Sequence, residues 1–126
     1  MKPDICFLFD FVSFHLLPVV HFEMTDLTKY KTWRSEKYLA WVRTQPSCIS
    51  GMPADDAHHI KGHGMGGSVK APDWAVIPLT REEHTLFHFV GHKRWEQANG
   101  NQLEHVARTL GRAIELGVIT IKGEKP

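Results

Sequence analysis

Six of the chain's nine histidines, His58, His59, His63, His84, His88 and His92, fall between positions 58 and 92. His84 and His88 are four residues apart, the spacing that stacks two side chains on one face of a helix, so together they can grip one ion. His58 and His59 are adjacent, and neighbours on a strand point to opposite faces, which gives the pair two different tasks. With His58 facing His84 and His88, three nitrogens would hold a single divalent ion (Mg, Mn or Zn) and leave positions open for water and phosphate. Such an ion stabilises the charge that develops on a phosphodiester and its leaving oxygen. His59, turned inward by a local kink, would be the general base that takes a proton from the attacking water; an unperturbed pKa of about 6.5 suits that task. Asp73 is the candidate to orient that base, by hydrogen-bonding the backbone or the imidazole. Either spacing alone also occurs on ordinary protein surfaces. The conjunction, in this order, points to a metal-dependent hydrolase.

The other candidates are more open. His63 could be a fourth ligand, a phosphate contact or a loop histidine without function. His92 and His105 are expected at the surface. Asp55 and Asp56 could assist the metal, although turn residues are the simpler reading.

These side chains need elements to position them. Ser35 caps an amphipathic helix over residues 36–42, which ends before Gln45-Pro46. Residues 47–53 read as a turn and 57–60 as a short strand. Residues 62–67 hold four glycines, too many for regular structure, and form a loop. A second apolar strand is expected over 74–79. Thr80 and Glu83 form a capping box that launches a helix to Val90. A short helix over 93–98 follows. Asn101 then caps a longer helix with Leu103, Val106, Ala107, Leu110 and Ile114 on one face, closed by Gly117. Residues 118–121 could add a terminal strand. The expected fold is α+β: a small ββα-metal core, treble-clef-like, in which a hairpin holds the histidines, a helix completes the site and further helices flank it.

Composition bounds the rest. A chain of 126 residues with 42% hydrophobic and 23% charged residues is one small globular domain. A net charge of +1 argues against a uniform basic field. Positive charge is nonetheless clustered, in Lys31, Arg34, Lys37 and Arg43 and again in Lys93, Arg94, Arg108 and Arg112. Phosphate contacts and a solvated helix face explain such clusters equally well. Cys6 and Cys48 are too few for a disulfide framework, so a reducing, cytoplasmic setting is expected. Residues 5–22 are apolar but carry Asp10, His15, Pro18 and His21, and so fail as a membrane span. Lys2 stands alone and no small-residue cleavage site follows, so they fail as a signal peptide too. Residues 1–23 therefore read as an extension outside the true domain, with Met24 the natural start of a domain over 24–126 and no membrane partner.

Three stretches carry a family resemblance: Arg34-Ser35-Glu36-Lys37-Tyr38-Leu39-Ala40-Trp41-Val42, Pro53-Ala54-Asp55-Asp56-Ala57-His58-His59-Ile60-Lys61-Gly62-His63-Gly64, and the later run Ile77-Pro78-Leu79, His84 to His88 and Asn101-Gln102-Leu103-Glu104. Together they resemble phage and prophage HNH nucleases, of the RecA-dependent Ref type and its uncharacterised phage relatives. The resemblance covers residues 33–119. It implies single-metal cutting of DNA, with DNA as partner and a recombinase filament as a further one. By position, it implies His58, His84 and His88 as metal ligands and His59 as general base. Asp73 stands at the central position that gives the family its N, as an aspartate. Relatives of this type often carry a structural zinc. The corresponding positions here are Ser47, Ser50, Thr80 and Glu83, with Cys48 one place out of register, so no structural zinc is expected. The alternatives in other classes are a nonenzymatic nucleic-acid-binding module and an inactive prophage remnant, each retaining the fold.

Overall fold

Ser35, Thr80 and Asn101 each begin a helix, and the reason is the same at all three: a side-chain oxygen accepts from an amide that the first turn leaves without a partner. The computed structural model describes residues 32–65 and 70–124, which belong to one compact unit, Thr32–Pro126. Helix α1 (Glu36–Arg43) is capped by Ser35, which accepts from the Tyr38 amide at 3.2 Å. Strands β1 (Asp56–His59) and β2 (Val76–Leu79) pair antiparallel. Helix α2 (Arg81–Val90) opens on the expected capping box, with both the Thr80 and the Glu83 halves formed. Helix α3 (His92–Asn99) follows Gly91, and α4 (Gln102–Glu115) starts where Asn101 accepts from the Leu103 amide at 2.8 Å. The described residues thus form a mixed α+β unit with one two-stranded sheet and four helices. The apolar N-terminal stretch, Met24, Cys6 and the loop residues Gly66 and Gly67 lie outside the described residues.

Strand β2 is buried on both sides. Ile77 and Leu79 face a core of Ile60, Phe87, Trp95 and Val106, while Val76 faces Tyr38, Leu39 and Val42 of α1 and Ala113 of α4. Directly opposed residues of an antiparallel pair share a face. His58 lies opposite Ile77 and therefore turns toward α2; His59 lies opposite Val76 and turns toward the side of α1. Pro78 is tolerated in β2 because, among the described residues, the strand pairs on one side only, and its carbonyl accepts from the Cys48 amide at 3.0 Å.

Three expectations need correction. The buried stripe of α4 is Gln102, His105, Val106, Thr109 and Ala113, whereas Leu103 and Ile114 are exposed. The polar members of that stripe are buried because each finds an internal partner: Gln102 on the Lys61 backbone, His105 on the Asn99 carbonyl and Thr109 on the His105 carbonyl. His105 is accordingly a core residue, not a surface one. Residues 118–121 form no strand; the amides of Val118 and Ile119 both donate to the Ala113 carbonyl, wrapping the chain over the helix end. No helix among the described residues is long and apolar enough to cross a membrane.

Candidate metal centre

Alternation along β1 and the phase set by the Thr80 cap bring His58, His84 and His88 together. One nitrogen from each lies within 4.8 Å of the others. The ring centroids stand 4.7 Å (His58–His84), 5.4 Å (His58–His88) and 4.8 Å (His84–His88) apart. Phe87 closes the inner side, its ring 4.2 Å from that of His58, while His88 is exposed on the outer side. The cluster is therefore walled within and open without.

His58 is the telling member. It is only 2% exposed, and neither of its ring nitrogens has a hydrogen-bond partner among the described residues. Burial, followed by the nearby His84, His88 and Lys61, pushes its pKa from 6.5 down to about 3, so the ring is neutral and its lone pair available. His88 is lowered as well, by burial, His84 and Lys61. A buried imidazole with two idle nitrogens is costly unless something fills the role of partner. An ion would take one of these two nitrogens, and an N-donor set suits borderline divalent ions.

His84 has a further partner. Its Nδ1 is 2.9 Å from Asp56 Oδ2, and the other Asp56 oxygen takes a 2.9 Å contact from Arg81. A proton on Nδ1 shared with this carboxylate leaves Nε2 as the lone-pair nitrogen, and that atom faces His88 Nε2 at 3.0 Å. A carboxylate behind a histidine in this way fixes the tautomer and the ring angle of a metal ligand. Asp56 belongs to the strand rather than to a turn, with its side chain on the His58 face two residues away. That spacing was the signal available in the sequence.

No kink turns His59 inward: it keeps the regular register opposite Val76 and stays on the other face of β1, where its Nε2 lies 2.9 Å from Asp73 Oδ1. Asp73 is held in turn: Oδ1 accepts from Arg34 at 3.1 Å and Oδ2 from the Ser35 amide at 2.9 Å. Burial works against its charge, but the hydrogen bonds from His59, Ser35 and Arg34 outweigh this and hold the carboxyl below its usual range. Nε2 of His59 is thereby engaged and Nδ1 is left to act. Asp73 meets the imidazole itself, one of the two contacts expected of it.

Ser47, Ser50, Thr80 and Glu83, where the resemblance would set a structural zinc, also converge. Ser47 donates to the Glu83 carboxylate, which accepts from the Thr80 amide at 2.8 Å, and the Ser47 oxygen accepts from the amides of Ile49 and Ser50 at 3.1 and 3.3 Å. Burial opposes the Glu83 charge, but bonds from Ser47, Ser50 and Thr80 lower its pKa on balance. Cys48 packs against the core, and burial and Glu83 push its thiol up to about 12, which disfavours the thiolate a metal needs. Glu83→Gln should therefore cost about 1.5–3 kcal/mol at neutral pH, the range for hydrogen bonds to a charged group. A carboxyl with a lowered folded pKa stabilises above its unfolded value, here 4.5, and loses that contribution as pH falls through the folded value. Thermal melts should show the variant's deficit constant above pH 4.5 and shrinking below it. A deficit that persists undiminished in strong acid would mean the charge is not what holds this cluster.

His63 does not join the triad; its Nε2 contacts Glu96 of α3. His92 is half-buried rather than on the surface, because its ring lies against Gly62.

Residues 20–117, which include every site residue above, match the family described as "Protein of unknown function (DUF968)". The chain belongs to this family. It is also 46% identical over 94 residues to the "Uncharacterized protein YdfU" of Escherichia coli (strain K12), a match that covers 74% of this chain. The chain spans about a quarter of that relative's length, since the match takes in 27% of it. No solved structure matches.

Proposed function

We propose that this chain is an HNH-type, ββα-metal endonuclease that hydrolyses DNA phosphodiester bonds with one divalent ion. The observation that carries this reading is His58, buried with both ring nitrogens unpartnered among the described residues and facing His84 and His88. These three residues would hold the ion, with Asp56 fixing the His84 ring. When bound, the ion supplies Lewis-acid stabilisation of charge on the phosphate and the leaving oxygen.

The remaining roles belong to the chain's own residues. His59 Nδ1 takes a proton from water as the water oxygen bonds to phosphorus. The bond from phosphorus to the leaving oxygen breaks, and that oxygen takes a proton from solvent. Asp73 holds His59 in the required tautomer and stabilises the imidazolium that forms, while Arg34 and Ser35 keep Asp73 charged and in place. His58 and His59 lie on opposite faces of β1, and β1 pairs only with β2 among the described residues. A DNA strand passing the other edge of β1 would meet the ion on one side and the base on the other.

Plasmid nicking with magnesium, manganese or zinc, each with and without chelator, tests the reading. Conversion of supercoiled to open-circular DNA with at least one metal, abolished by chelator, is the expected result. Cleavage should weaken steeply as salt rises and depend little on sequence, because phosphate contacts dominate. Tight binding without cutting under every metal would instead favour the nonenzymatic nucleic-acid-binding module.

A further inference from the structure

A groove of about 470 Å³ runs between α4 and the end of α1, and the turn whose Cys48 amide bonds to the Pro78 carbonyl lines it as well. No residue of α2, α3 or the histidine triad lines it, so it is separate from the metal centre. Trp41 forms the wall on the α1 side, its ring stacked on Tyr38 with centroids 5.9 Å apart. The buried lining is Pro78, His105 and Thr109, and the polar side chains of the last two are already taken up by the Asn99 and His105 carbonyls.

The α4 side is charged. Arg108 and Arg112 are exposed and lie one turn apart on the same face of the helix. Among the described residues the arginines that pair with carboxylates are Arg34, Arg43 and Arg81, so neither groove arginine is engaged there. Glu115 is the one acidic residue of the lining, which leaves the groove with an excess of positive charge. Gly111 lies between the two arginines, in the body of the helix. Glycine is a poor helix residue, and packing does not require one here: a Cβ at position 111 would meet no atom within 4 Å. The space beside Gly111 is the groove itself, which a longer side chain would fill.

We propose that this groove binds a short extended segment of a partner protein with the pattern acidic, apolar, acidic. The spacing argues for it. At 1.5 Å per residue, Arg108 and Arg112 are offset by about 6 Å along the helix axis. Residues i and i+2 of an extended chain point to one side and lie about 6.6 Å apart. Two carboxylates at that spacing meet the two arginines, each as a charge-assisted and bidentate pair. The residue between them points the opposite way, toward Trp41, where an apolar side chain fits. Duplex DNA carries its phosphates on a rigid convex surface and does not enter a groove of this size. Single strands bind by stacking successive bases on aromatic rings, whereas this groove offers one indole with a face already against Tyr38.

The test is fluorescence anisotropy of the labelled peptide Gly-Ser-Glu-Phe-Glu-Ser-Gly with the full chain. Two control peptides carry Gln-Phe-Gln or Glu-Glu-Phe at the centre, and a labelled single-stranded oligonucleotide is the third probe. The Gln control should bind wild type at least about ten-fold more weakly, as loss of charge-assisted contacts does. The permuted control should also bind more weakly, because its carboxylates no longer share a side. Arg108→Gln and Arg112→Gln should each weaken the Glu-Phe-Glu peptide about ten-fold, and Arg112→Lys should recover part of the loss. Gly111→Leu should abolish peptide binding with both arginines still present, while its Tm stays at or above that of wild type. Plasmid nicking should be unchanged in all four variants, so this proposal and the nuclease reading fail separately. If Glu-Phe-Glu binds wild type no more tightly than Gln-Phe-Gln, or Gly111→Leu binds it as wild type does, the proposal is overturned. If the oligonucleotide is the probe that binds and that Gly111→Leu loses, the groove takes nucleic acid and the peptide assignment falls.

Discussion

His59→Ala should lower the rate of DNA cleavage by about 10²–10⁴-fold, the usual loss on removing a general base, while metal affinity stays near that of wild type. The geometry separates the two effects. His59 faces the side of β1 away from His58, and its ring makes no hydrogen bond to the triad. Its partner Asp73 keeps two other bonds, from Arg34 and the Ser35 amide, so the carboxylate is not stranded when the imidazole goes. The fold should survive, and circular dichroism with calorimetric metal titration can confirm that before kinetics are read. Asp73→Asn should give a smaller loss than His59→Ala, because the ring stays but its tautomer is no longer held. If His59→Ala nicks plasmid as fast as wild type, His59 is not the base.

What the sequence made legible was local chemistry. The three caps, the alternation that splits His58 from His59, and the helical spacing of His84 and His88 are all short-range patterns, and each is present in the fold. What it hid were buried polar residues whose partners lie far along the chain. Gln102 and Lys61 are separated by 41 positions, and Asp56 and His84 by 28. A hydropathy pattern scores Gln102, His105 and Thr109 as outward-facing. It cannot register that backbone groups elsewhere satisfy them, which is why the expected face of α4 was rotated away from the real one. Asp56 was obscured differently: next to Asp55 and after Pro53-Ala54 it looks like a turn residue, and only the register with β2 sets it on the ligand face.

The same buried polarity gives the sharpest test of the metal site. Without an ion, His58 holds two unsatisfied nitrogens against Phe87, a loss of about 1–3 kcal/mol for such a group. Leucine has a similar volume and no polar atom to satisfy. His58→Leu should therefore make the metal-free protein more stable than metal-free wild type by about that amount, while removing one of the three ligands and with it tight metal binding. Adding metal should reverse the order. A ligand that binds only the folded state stabilises by about 2.7 kcal/mol at a concentration a hundred times its Kd, so wild type should gain in Tm and the variant should not. Elemental analysis should find one divalent ion per chain in wild type and none in the variant. If His58 were instead an ordinary core residue, metal would leave both melts unchanged. If His58→Leu still binds one ion tightly, the ligands lie elsewhere, and the assignment of His84 and His88 falls with that of His58.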